Sequence, residues 1–159
     1  LAASPLHCAS PTSLADVIDQ ATDTEHVAAS ASRCFDVAVD FERYPEWARD
    51  VKEANVLERD ASGRATKVEY RASALGRSTH YTLSYDYSQA PERISWSLVE
   101  GDIMRVIDGA YTFSPSGDGT DITYSLKIEL IVPLPGFVKR RAEVRILHTL
   151  KELKTRAES

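Results

Sequence analysis

The feature that most constrains this chain is the run from Thr120 to Val132. Ile122, Tyr124, Leu126, Ile128, Leu130 and Val132 alternate there with Asp121, Thr123, Ser125, Lys127 and Glu129. A period of two with one apolar face belongs to a half-buried strand. The same alternation occurs in Val68, Tyr70 and Ala72, in Tyr81, Leu83, Tyr85 and Tyr87, in Ile94, Trp96 and Leu98, and in Ile107, Gly109, Tyr111 and Phe113. Short turn phrases separate these runs: Asp60-Ala61-Ser62-Gly63, Leu75-Gly76-Arg77, Gln89-Ala90-Pro91, Glu100-Gly101-Asp102 and Pro115-Ser116-Gly117-Asp118-Gly119. Links this short permit only antiparallel hairpins, because a parallel return needs a crossover. The spacing therefore predicts a meander of about six strands from Val51 to Val132.

Helices flank the meander. Val132-Pro133-Leu134-Pro135-Gly136 ends the last strand, and from Phe137 the period changes. Val138, Ala142, Ile146, Leu150, Leu153 and Ala157 recur at helical spacing as one stripe. At 1.5 Å per residue such a helix is about 30 Å long, enough to cross a small sheet. A shorter helix is predicted from Ala31 to Glu42, with Ser30 as N-cap, an inner face of Cys34, Phe35, Ala38 and Val39, and Tyr44-Pro45-Glu46-Trp47 as its end. Ala21 to Ala28 reads as a first strand with poor alternation. The fold class is α+β, a curved antiparallel sheet of about seven strands around a long C-terminal helix, with one or two short N-terminal helices. Residues 16–159 are expected to form one ligand-binding domain. The Ala-, Ser- and Pro-rich residues 1–15 are expected to be a disordered or extraneous tail.

Composition narrows the function. The 159 residues are 43% hydrophobic, enough for a core without covalent staples. The 24 acidic and 19 basic residues leave a net charge of -5. That is no footprint for nucleic acid, which needs a basic surface. Cys8 and Cys34 form no C-x-x-C pair, so no disulfide framework, metal site or cofactor is expected, and isolated thiols suit the cytoplasm. No apolar run reaches membrane-span length, and phosphate-loop, nucleophile-elbow and zinc-helix motifs are absent; Gly117-Asp118-Gly119 is read as a turn only.

In order along the chain stand Asp40-Phe41-Glu42-Arg43-Tyr44-Pro45-Glu46-Trp47, Ser95-Trp96-Ser97-Leu98, Asp108-Gly109-Ala110-Tyr111, Gly119-Thr120-Asp121-Ile122-Thr123-Tyr124 and Lys139-Arg140-Arg141-Ala142-Glu143. In this order they resemble the polyketide cyclase/dehydrase family of START-like (SRPBCC) proteins, near its coenzyme-Q-binding branch. The resemblance covers about Thr22 to Glu158. It implies the helix-grip fold, with a cavity between sheet and helix, and a hydrophobic ligand; it implies no reaction. One departure is the first strand, where Asp23-Thr24-Glu25-His26-Val27 replaces the usual apolar alternation.

The candidate ligand-binding residues are Tyr70, Tyr81, Tyr85, Trp96 and Tyr111 on the strands and Val138, Ala142 and Ile146 on the long helix. Tyr124 belongs to the same set of strand aromatics, each of which could equally be core with a satisfied polar tip. The leading reading is binding or transport of a lipid, quinone or polyketide-like molecule. The alternative is a polyketide cyclase or dehydratase whose acid–base groups come from the inward tyrosines, His80, Glu25 or Arg105. A protein-interaction module is the third. Glu25 and His26 are neighbours on one strand, so one of them is expected inward. Arg105 and Asp108 are expected on opposite faces of one strand. Lys139-Arg140-Arg141 breaks the helix-dipole preference at a helix start. It is either a solvated face or a transient contact for anionic lipid headgroups.

Overall fold

The computed structural model describes residues 17–74, 76–131 and 136–159, and of residues 17–19, 74, 136–143 and 146 the backbone alone. The expectation of a tail over residues 1–15 lies outside the described residues. The elements run β1 (Val17–Val27), α1 (Ala31–Val39), a 3-10 turn (Phe41–Arg43), α2 (Tyr44–Trp47), β2 (Val51–Arg59), β3 (Ala65–Ala74), β4 (Arg77–Asp86), β5 (Arg93–Gly101), β6 (Met104–Ser116), β7 (Gly119–Leu130) and α3 (Gly136–Glu158). The strands form one antiparallel sheet in the order β1-β7-β6-β5-β4-β3-β2. The predicted six-strand meander is β2 to β7, and β1 returns beside β7.

Alternation becomes burial in β7. From Ile122 to Leu130 every even residue is buried and every odd one is half exposed. The β2–β3 turn forms because the Asp60 carboxylate accepts from the N–H groups of Ser62 and Arg64, with Gly63 at a φ of 83° that a Cβ would disfavour. Bulges in β4–β5 and β6–β7 bend the strands, which lets a seven-stranded sheet curl.

The N-terminal helix is shorter than its apolar pattern predicts. The Ser30 hydroxyl accepts from the Arg33 N–H and caps α1, but α1 stops at Val39. Its fully packed side chains are Cys34, Val37 and Ala38, while Phe35 and Val39 are half-buried. Tyr44-Pro45-Glu46-Trp47 does not merely end a helix; it is one, with Pro45 in its first turn, where a missing N–H costs nothing. The Tyr44 hydroxyl donates to the Ala38 carbonyl at 2.5 Å, which folds α2 back onto α1.

The long helix matches the expected Phe137–Ala157 span within a residue or so at each end. Leu150 and Leu153 are fully buried and Ala157 nearly so. The helix lies chiefly along β1 and α1. On β1 this contact accommodates a charged residue: the Glu25 carboxylate meets the Lys154 ammonium of α3 at 3.8 Å. Among the described residues no helix is long and apolar enough to cross a membrane.

Candidate functional site

The inner sheet face carries more aromatic rings than α3 covers. From β3 come Tyr70 and Ala72, from β4 Thr79, Tyr81, Leu83 and Tyr85, and from β5 Ile94 and Trp96. Then β6 adds Met104, Ile107 and Tyr111, and β7 adds Tyr124, Leu126, Ile128 and Leu130. Ala38, Phe41 and Tyr44 approach from the N-terminal helices, and Arg145 and Thr149 from α3. Together they line a cavity of about 720 Å3. Sites for small molecules usually have this size and this mostly apolar wall.

The aromatic wall is continuous. Trp96 sits 5.1 Å from Tyr111 and 6.0 Å from Tyr85, Tyr111 stacks on Tyr124 at 4.8 Å, and Tyr70 stacks on Tyr81 at 5.4 Å. Trp96 can lie so low because its register partner on β6 is Gly109. A Cβ there would collide with the indole. The Tyr70 and Tyr85 hydroxyls hydrogen-bond each other. Those of Tyr81, Tyr111 and Tyr124 have no hydrogen-bond partner among the described residues, and all three rings line the cavity.

Burial sets the protonation of these phenols. It pushes Tyr44, Tyr70, Tyr85, Tyr111 and Tyr124 well above the ordinary tyrosine value. Burial, helped by the Asp50 carboxylate, raises Tyr81 to about 12. At neutral pH the cavity therefore presents neutral O–H donors on an apolar wall. They suit the oxygen atoms of an otherwise apolar molecule, and they are poor proton donors for catalysis.

Tyr70, Tyr81, Tyr85, Trp96 and Tyr111 all line this cavity. The side chains of Val138, Ala142 and Ile146, and of Lys139, Arg140 and Arg141, lie outside the described residues. The acid–base candidates from the sequence do not line it. His80 is exposed on the outer face, and Glu25 points at α3 rather than at the cavity. Arg105 and Asp108 are both exposed, Asp108 in a shallow polar groove on the convex face beside Arg93 and Lys127. A bulge next to Met104 shifts Arg105 out of the regular alternation. His26 is exposed and pairs with Asp121 at 2.7 Å. Among the described residues no cluster of His, Cys, Asp and Glu could hold a metal ion.

Other cavity residues went unread in the sequence. Phe41 lies inside the stretch read as the helix Ala31 to Glu42 and Tyr44 inside the phrase read as its end, and their aromatic character is the available signal. Arg145 and Thr149 flank the apolar stripe, one helical turn after Ala142 and one before Leu153, a place open to a helical-wheel reading. Nothing local marks Asp50.

Comparison with known proteins places the chain. The model of the family described as polyketide cyclase/dehydrase and lipid transport matches residues 19–158. No curated protein sequence matches. Among solved structures, a START superfamily protein from Mycobacterium smegmatis is 30% identical, with a TM-score of 0.80 over 87% of this chain and 97% of that one. A protein from Thermus thermophilus is 21% identical, with a TM-score of 0.74 over 87% of this chain and 97% of its own. The Zhui aromatase/cyclase from a Streptomyces species is 16% identical, with a TM-score of 0.75 over 88% of this chain and 93% of its own. At those lower identities the last two speak for the fold alone. A seven-stranded sheet gripping a C-terminal helix, a cavity between them and a family match over nearly the whole length lead to one statement: the chain belongs to the polyketide cyclase/dehydrase and lipid transport family.

Proposed function

We propose that residues 16–159 act as one domain that binds or carries a hydrophobic small molecule bearing oxygen functions, such as a quinone or a polyketide-like aromatic, in the cavity beneath α3. The observation that carries this reading is the set of three phenol hydroxyls, Tyr81, Tyr111 and Tyr124, without a partner among the described residues on a mostly apolar wall. A donor held on such a wall without a partner favours a ligand that accepts from it, because leaving it unmet once the cavity fills costs about 1–3 kcal/mol. A plain hydrocarbon chain would leave all three unmet. The family description, which includes lipid transport, supports the same reading. A cytoplasmic setting is part of the proposal, supported by the free thiol of Cys34. Catalysis has less support, since the nominated His80, Glu25 and Arg105 lie off the cavity. Native mass spectrometry of freshly purified protein tests the proposal. One oxygen-bearing apolar molecule per chain is expected, released on denaturation. A protein that carries none, and takes up none from a panel of quinones, aromatic ketones and fatty alcohols, would sink it.

A further inference from the structure

Among the described residues lining the cavity only two are charged, Asp50 and Arg145, and they are bound to each other. Arg145 donates from Nε to one carboxylate oxygen of Asp50 at 3.2 Å and from Nη2 to the other. This two-point fork is the strongest form of such a contact. The Asp50 side chain is 31% exposed and that of Arg145 57%, so the pair stands at a rim of the cavity that solvent reaches. Ser73, Gly76, Thr79 and Tyr81 line the cavity as well. The field of Asp50 enters the cavity, for it helps to hold the Tyr81 phenol protonated. Glu152, further along α3, adds negative charge that also acts on Arg145, and its carboxylate is anchored by the Arg49 N–H.

We propose that Asp50 is a specificity-determining residue: by occupying the guanidinium fork of Arg145 it makes the cavity rim electrically neutral and selects uncharged apolar ligands over carboxylates. The inference rests on the ligand-binding reading above and deepens it. An incoming carboxylate must either expel Asp50 from Arg145, leaving a partly buried carboxylate without its cation, or settle beside it as a second negative charge. Both are unfavourable. An ester, ketone or quinone meets neither obstacle and finds phenol donors instead. With Asp50 neutralised, Arg145 would become an anion anchor pointed at the cavity.

The test uses 2-naphthoate and its methyl ester as probes, titrated into native protein, Asp50→Asn, Asp50→Ser and the double variant Asp50→Asn with Arg145→Gln. Native protein is expected to favour the ester. In each single Asp50 variant the ratio of carboxylate to ester affinity should rise about tenfold. That gain should shrink with added salt and vanish in the double variant. Lys139, Arg140 and Arg141 are present in every protein compared, so they cancel from the ratios. An unchanged ratio in both single variants, with the ester still bound, would overturn the inference and leave the ligand-binding reading standing. A gain that persists in the double variant would overturn it too, since Arg145 would not be the anchor. If native protein takes up neither probe, this inference is overturned, because the cavity then refuses the uncharged ligand it is said to select, while the ligand-binding reading stands or falls on the wider panel above.

Discussion

Replacing Gly109 with Ala probes the cavity wall through a single methyl group. Gly109 on β6 faces Trp96 on β5 across the ladder, and the indole covers the place where a Cβ would stand. That Cβ would fall well inside contact distance of Cε2 and Cζ2, and 2.5 Å from Nε1. The indole cannot slide sideways, because Tyr111 at 5.1 Å, Tyr85 at 6.0 Å and Tyr124 at 6.1 Å hold it. It must lift off the sheet into the cavity. Overpacking of this kind costs about 1–3 kcal/mol. Loss of glycine freedom in the unfolded chain returns about 0.4–1 kcal/mol. The net expectation is a loss of up to about 2.6 kcal/mol, or up to roughly 10 °C in melting temperature for a protein of this size. A urea titration gives the free energy. Trp96 emission, read in a Trp47→Phe background so that only one indole reports, should shift as the ring moves. Unchanged stability together with unchanged emission would mean that the indole does not cover residue 109, and the wall described here would be wrong.

Three further outcomes are expected. Leu150 is fully buried on the inner face of α3, so Leu150→Ala should cost about 2–5 kcal/mol in a denaturant titration; a change within error would place that face of α3 in solvent. All seven tyrosines of the chain have phenols raised by burial, Tyr81 and Tyr87 to about 12. Each raised phenol contributes stability that is fully present below the ordinary value of 10.0 and is lost as pH climbs through its folded value. Tyrosinate absorbance should therefore appear together with alkaline unfolding, and a tyrosine that titrates near pH 10 in folded protein would contradict the buried wall. Tyr81→Phe, Tyr111→Phe and Tyr124→Phe should each weaken methyl 2-naphthoate by a few-fold to about tenfold while leaving naphthalene uptake nearly level, as loss of one hydrogen bond implies; equal losses for both probes would mean that the hydroxyls do not bind the ligand.

The sheet was legible because alternation is a local property. The even residues of β7 turn inward just as their apolar side chains demand, and short turns leave no topology but the meander. The long stripe through Leu150 and Leu153 was legible for the same reason, at a period of 3.6. What failed depends on chain that is distant in sequence. Glu25 looked like a candidate acid until the packing of α3 on β1 supplied Lys154, 129 residues on, as its partner. Arg105 and Asp108 read as opposite faces of one strand, but a bulge breaks the alternation and both are exposed; bulges have no reliable signature in one sequence. Tyr44 hid in a phrase read as punctuation. The Asp50–Arg145 pair joins residues 95 apart, and neither shows its partner locally. The cavity aromatics were nameable one by one, but their shared wall needed a register that only the folded sheet sets.

The central claim is that the space beneath α3 is a ligand site and not a filled core, and Ala72 offers the most direct measurement. It is 6% exposed on β3 and lines the cavity with Tyr70. In a filled core Ala72→Phe would cost about 1–3 kcal/mol of overpacking. In the cavity the new ring has room, gains dispersion contacts, and takes the space of a ligand. The measurement is uptake of methyl 2-naphthoate by Ala72→Phe beside native protein, with the melting temperature of each recorded. The expected result is a melting temperature held or raised and uptake abolished. A variant that is destabilised by that amount and still binds the probe with native affinity would contradict the claim.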